Sequence, residues 1–188
     1  MKAVFLASSI VGSKTAIATK KAVEIYKEKQ PEDHVSIFDL KEYSIQFSDG
    51  RNYLDYDGDT LALTTALMEA DVIYIGTPIF QSSIPGTLKN VFDLLPPNAF
   101  RDKTIGLVVT AGTDKHYLVA EYQLKPIISY MKGNLLPNYV FIQDRDFHNG
   151  EIENHEILLR LNQSMDDLIA LSQTYKQMRQ ALEDSFDF

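Results

Sequence analysis

A chain of 188 residues, 45% hydrophobic and 23% charged, is most simply one domain with enough apolar content to bury a sizeable core. It contains no cysteine, which excludes disulfides, thiolate catalysis and cysteine-held zinc or iron–sulfur clusters, so any redox chemistry has to be borrowed from a cofactor. The formal charge of -8, without a clustered Lys/Arg face, argues against nucleic acid or an anionic membrane as a partner.

The opening MKAVFLASSIVGSK has an apolar core of only Ala3 to Ala7, short of a signal-peptide hydrophobic region and better used as a first strand. No stretch approaches transmembrane length, and a cytoplasmic protein is expected. After that strand come Ser8, Ser9, Ile10, Val11, Gly12, Ser13, Lys14 and Thr15, then Ala16, Ile17, Ala18, Ala22, Val23, Ile25 and Tyr26 at helical spacing. A hydroxyl-rich turn that empties into a helix N-terminus suits a phosphate, because free amides converge there, the helix dipole favours an anion and hydroxyls add donors. Ser9, Ser13, Lys14 and Thr15 are the candidate phosphate ligands, beside the plainer reading of a capped helix. The turn is not a Walker A loop: Ala7 stands where the first glycine would be, so a nucleoside triphosphate is not expected.

Val35 to Leu40 reads as a second strand. Asp55, Tyr56, Asp57, Gly58 and Asp59 briefly resemble a calcium loop, but the glycine comes two positions early and Ala66 holds the place of the terminal Glu. The acids are instead expected at the N-terminus of a helix from Thr60 to Ala70, where they complement its dipole.

The run Val72, Ile73, Tyr74, Ile75, Gly76 has the residue types of a buried parallel strand. It leads into TPIFQSSIPGTLKNVFDLLP, from Thr77 to Pro96. Pro85 sits where a first helical residue belongs, and Leu88, Val91, Phe92 and Leu95 follow at i, i+3, i+4, i+7. This is strand, loop, helix. With Thr77, Phe80, Gln81, Ser82 and Ser83 the loop offers amides, hydroxyls and an aromatic face, which suits a flat ring with polar edges.

This stretch resembles the flavin-edge motif of the NAD(P)H-dependent FMN reductase family, TPxYxxSxPGxLKNxxD. Thr77, Pro78, Ser83, Pro85, Gly86, Leu88, Lys89, Asn90 and Asp93 match it, and Phe80 takes the Tyr place. The family's phosphate turn reads GSxRxxSxT or close to it. Here Ser9 matches, Ser8 replaces the Gly, Val11 stands at the Arg, and Ser13 and Thr15 come one position early, with Lys14 as a substitute cation that lacks bidentate geometry.

Thr104 to Thr110 is another buried-strand run, ending in Ala111, Gly112, Thr113 and Asp114, where the family has a TGG-like turn. Lys115 to Lys132 has a helical pattern with Pro126 in its interior. Within it, HYLVAEYQLKP, from His116 to Pro126, is similar to the corresponding helix in the flavin reductase components of two-component alkanesulfonate monooxygenases. Pro126 cannot donate to the carbonyl of Tyr122 and its ring clashes with it, a conflict of roughly 3 kcal/mol that a local π-bulge relieves. The resemblance covers roughly Lys2 to Gln143. It implies that Tyr122 lies at a subunit contact close to the flavin; the alternative is a plain proline kink with Tyr122 in the core.

Leu135 to Ile142 supplies a last strand. The tail carries Leu158, Leu161, Met165, Leu168, Tyr175 and Leu182 at near-heptad steps, interrupted by Ser172 and Arg179, as a sheet-covering helix that can overhang to a partner. His34, His148 and His155 read as solvated surface, and Asp144, Arg145, Asp146 as a solvated turn. There is no GxSxG nucleophile elbow.

The resulting expectation is an α/β, flavodoxin-like, doubly wound sheet of five parallel strands in the order 2-1-3-4-5, residues 1–188 forming one domain with a helical tail. Ligand would bind outside the carboxyl ends of the strands at the β1/β3 switch point. The resemblance implies FMN as cofactor, NADPH or NADH as donor, hydride transfer without a catalytic side chain, and free FMN, a quinone or an azo dye as acceptor. Ser9, Ser13, Lys14 and Thr15 would take the phosphate; Pro78, Ile79, Phe80, Gln81 and Ser82 would face the ring, and the amides of Gly112 and Thr113 its polar edge. Implied partners are further copies of the chain, as a homodimer or homotetramer, and a monooxygenase that receives reduced flavin. A non-enzymatic flavodoxin-like electron carrier and a quinone or azo reductase that retains FMN are the alternatives.

Overall fold

The computed structural model describes residues 1–186. Four apolar runs become the strands β1 (Lys2–Ala7), β2 (His34–Asp39), β3 (Val72–Pro78) and β4 (Thr104–Ala111). β3 and β4 are buried along their whole length, as strands covered on both faces must be. β1 pairs in parallel with β2 and β3, and β3 with β4.

The fifth position differs from expectation. It is filled by two short segments, β5 (Asn134–Leu135) beside the start of β4 and β6 (Val140–Gln143) beside its end. Pro137 lies between them and has no amide to donate, so the ladder is interrupted there. The parallel order is nonetheless 2-1-3-4-5.

Helices α1 (Lys14–Lys29) and α5 (His155–Phe186) share one core with one sheet face, where Phe5, Tyr26, Tyr74, Leu161, Met165 and Leu168 are buried together. The other face packs Leu6, Ile75 and Leu107 against Leu63 and Leu67 of α2 (Gly58–Glu69), Leu88 and Val91 of α3 (Gly86–Asp93) and Ile128 of α4 (Lys125–Tyr130). In α5 burial ends at Ser172, and Met178 and Leu182 stand exposed on the overhanging turns. No helix among the described residues is long and apolar enough to cross a membrane.

Local details follow the sequence with small offsets. α2 starts two residues earlier than read, with Asp57 at its cap, and Asp57 and Asp59 accept from the Gln46 side chain and the Ser44 amide. Pro85 is the cap of α3 rather than its first residue. Lys103 is buried, and its ammonium donates to the carbonyls of Met68 (2.7 Å) and Ala70 (2.8 Å) at the end of α2, where the helix dipole favours a cation. Burial pushes its pKa down.

Candidate functional site

The carboxyl ends of β1, β3 and β4 open on one rim, and a cleft of about 400 Å³ lies there, within the size range of cofactor pockets. Val11 to Thr15 form one end of it. Pro78, Ile79 and Phe80 form a second wall, and Thr110, Ala111, Gly112 and Asp144 complete it. Seven of the candidate residues therefore meet in one place: Ser13, Lys14, Thr15, Pro78, Ile79, Phe80 and Gly112.

The end formed by α1 fits a phosphate. Gly12 has a φ of 74°, a left-handed conformation that turns the chain into the helix. α1 is capped by Ser13 without a side-chain bond to its amides, and no acid lies in its first turn. The first amides and the dipole thus face the cleft with no acid of the helix itself to neutralise them. Lys14 bonds to Asp144, Nζ to Oδ1 at 2.8 Å, and its ammonium lies 5.7 Å from the centroid of the Phe147 ring.

Two hydroxyls of the turn are engaged elsewhere. Ser9 Oγ donates to the Val11 carbonyl at 2.6 Å and accepts from the Val11 amide at 3.2 Å, so its side chain shapes the turn. Thr15 Oγ1 lies 2.7 Å from Thr110 Oγ1 in a buried contact; of Thr15, the backbone amide rather than the hydroxyl is placed for an anion. The Ser8 hydroxyl, in contrast, is buried without a partner among the described residues.

The second wall ends in a tight turn. Phe80 and Ser83 exchange two backbone bonds, each 3.0 Å, and Gln81 and Ser82 between them have φ of 50° and 56°. Two positive φ values make this a primed turn that normally takes Asn or Gly, and holding residues with a Cβ there costs on the order of 1–2 kcal/mol each. Gln81 and Ser82 sit at its tip, beyond the wall that Phe80 closes. Two residues of α3 act behind it: Thr87 Oγ1 donates to the Ser8 carbonyl (2.8 Å), and the motif's Asn90 bonds to Ser48 and Gln46, holding the 46–48 loop on α3.

Thr113 caps a short 3-10 turn, accepting from Lys115. Beyond it residues Ala120–Leu124 form a π-turn, closed by the Lys125 amide on the Ala120 carbonyl. The clash at Pro126 is thus relieved by widening. Tyr122 is 75% exposed, which rules out the core position weighed for it.

Sequence reasoning missed three contributors. Asp144 was read as part of a solvated turn, yet it follows β6 and its carboxylate stands over the cleft: a Cβ added to Gly112 would meet Asp144 Oδ2 at 3.8 Å. Asp146 is buried, and accepts from the Gln143 amide and the Asn154 side chain. Gln123 carries no local mark at all, and bonds to the Phe80–Ser83 turn.

Residues 1–147 match the model of the family described as NADPH-dependent FMN reductase. The chain belongs to that family. An NAD(P)H-dependent FAD/FMN reductase of Geobacillus thermodenitrificans is 40% identical over 87% of this chain and 89% of its own length. An FMN-dependent NADPH-azoreductase of Staphylococcus saprophyticus is 30% identical over 86% and 92%. The solved oxidoreductase of Corynebacterium diphtheriae has the same fold, with a TM-score of 0.73 at 24% identity over 93% of this chain and 98% of that one. The resemblance drawn from Thr77 to Pro96 is therefore to the right family of flavin oxidoreductases.

Proposed function

We propose that this chain is an NAD(P)H-dependent FMN reductase that holds FMN in the cleft between the α1 turn and the Phe80 wall. The observation that supports the placement is the pairing of a helix N-terminus whose amides take no side-chain cap bond, with a lysine, at one end and a wall of Pro78, Ile79 and Phe80 at the other. When bound, the flavin supplies the capacity to take a hydride from a nicotinamide and pass the electrons on. The protein's tasks are then placement and electrostatics. Ser13, Lys14 and the first amides of α1 hold the phosphate. Pro78, Ile79 and Phe80 flank the ring, Ala111 and Gly112 allow the backbone close to it, and the Gly112 and Thr113 amides are the donors available to its polar edge. No side chain in the cleft is required as acid, base or nucleophile.

The acceptor is proposed to be free FMN, supported by the Geobacillus relative; an azo dye with retained FMN is the second reading, supported by the Staphylococcus relative. Steady-state NAD(P)H oxidation with free FMN, a menadione-type quinone and an azo dye separates them. Turnover fastest with free FMN is the expected result. Turnover with azo dye alone would establish the second reading, and no nicotinamide oxidation with any acceptor would leave only the electron carrier. Passing reduced FMN to a monooxygenase belongs to the same proposal and rests on the resemblance of the His116–Pro126 helix.

A homodimer or homotetramer is also proposed. Leu118, Tyr122 and Tyr130 all stand at least half exposed along the π-turn and α4, an apolar face of the kind that marks interfaces. Tyr122→Ala removes the exposed ring while keeping the widened turn that Pro126 requires and without opening the core. It is expected to lower the sedimenting mass or the fraction of FMN retained, with a melting temperature within a few degrees of the parent. A large loss of thermal stability with unchanged mass and flavin retention would refute this role.

A further inference from the structure

The Phe80–Ser83 turn is an unusual thing to build from Gln81 and Ser82. Both adopt left-handed conformations that glycine or asparagine would take more easily, so the turn has to be held from outside itself. The contacts that hold it come from the π-turn. Ser83 Oγ donates to Gln123 Oε1 at 2.6 Å, and Gln123 Nε2 donates to the Ser82 carbonyl at 3.1 Å. A carbonyl only accepts, so the Ser82 bond fixes which way the amide faces and leaves its oxygen for Ser83. Ser82 Oγ also lies 3.4 Å from His116 Nδ1.

The widened turn is what makes this arrangement possible. Ala120 and Leu124 both point into the core, Tyr122 stands outside, and Gln123 is left facing the turn. We propose that Gln123 is a positioning residue for flavin: by clamping Ser82 and Ser83 it keeps the Phe80–Ser83 turn in the strained shape that holds Phe80 in the wall of the cleft. The proposal rests on the reading of that cleft as the FMN site. The turn addresses the ring rather than the phosphate, so loosening it weakens FMN and riboflavin equally.

Two measurements on Gln123→Ala test this. Hydrogen exchange of the segment 79–83 in the ligand-free protein is expected to speed up by about tenfold, because the turn then opens locally without global unfolding. The dissociation constants of FMN and riboflavin are expected to rise by the same factor, about three- to tenfold, as loss of two partly exposed hydrogen bonds allows. Gln123→Glu keeps the acceptor for Ser83 but sets a carboxylate oxygen against the Ser82 carbonyl, and should loosen the turn at least as much. Exchange at the parent rate in both variants would overturn the clamp. Faster exchange with unchanged flavin affinities would overturn the positioning role. A parent protein that binds neither flavin would overturn the FMN reading and this role with it, and is told apart from failure of the clamp because exchange needs no ligand.

Discussion

Lys14→Ala is expected to weaken FMN binding by about ten- to a hundredfold while leaving riboflavin unchanged, the size of one charge-assisted bond to a phosphate. The same substitution leaves Asp144 without its 2.8 Å partner, so an uncompensated carboxylate then faces the cleft and adds to the loss. Asp144→Asn should act in the opposite direction. In the ligand-free protein Asp144 competes with phosphate for Lys14; the two side chains are 40% and 56% exposed, a setting in which an ion pair contributes little to stability. Removing the carboxylate frees the ammonium and lifts the repulsion, and FMN affinity should rise several-fold, most clearly at low salt. Flavin fluorescence titrations of both variants check the pair of signs. Equal changes for FMN and riboflavin, or weaker FMN binding in Asp144→Asn, would place the phosphate elsewhere.

Gly106→Ala is expected to destabilise the fold strongly. Gly106 lies in β4, and an added Cβ would come within 2.5 Å of Tyr74 Cδ2 and 2.7 Å of Cε2, with Leu168 Cδ1 at 3.2 Å. Tyr74 is fully buried and its hydroxyl is 3.3 Å from Ser164 on α5, so the ring has nowhere to turn. Either the ring or α5 has to shift. Overpacking of this kind costs on the order of 3 kcal/mol at its upper end, a fall in melting temperature of roughly 6–12 °C for a chain this long. Gly86→Ala is the control: its Cβ would meet nothing within 4 Å, and as a helix residue it should be neutral or slightly stabilising. A Gly106→Ala protein that melts with the parent would mean that the α5 packing gives way easily.

Both predictions depend on contacts between residues far apart in the chain, and that separates what the sequence revealed from what it did not. Buried strands announce themselves: Val72 to Gly76 and Thr104 to Thr110 are apolar without alternation because both faces are covered. The loops at their ends could be placed on one rim by topology alone. The π-turn was legible too, since Pro126 makes a regular helix impossible at Tyr122. Pro137 carried a similar signal for the break between β5 and β6 that went unread. Asp144 had none, because its role comes from β6 bringing it beside Lys14, and that pairing exists only once the sheet is formed. The same holds for Gln123, a polar helix residue like any other until the Phe80–Ser83 turn lies against it. The Ser9 hydroxyl is the converse case, since it satisfies the nearby Val11 backbone first, whereas the Thr15 hydroxyl meets Thr110 only once β4 lies beside α1.

The central claim is that flavin bound at the α1 turn and the Phe80 wall receives a hydride from a reduced nicotinamide. Its most direct test is anaerobic mixing of NADPH or NADH with stoichiometric FMN and protein, following both absorbances in the parent and in Lys14→Ala. The parent should lose oxidised flavin and reduced nicotinamide one for one, and Lys14→Ala should do so only at higher FMN. Flavin that stays oxidised in the parent, or reduction by Lys14→Ala at the parent's FMN concentration dependence, would contradict it.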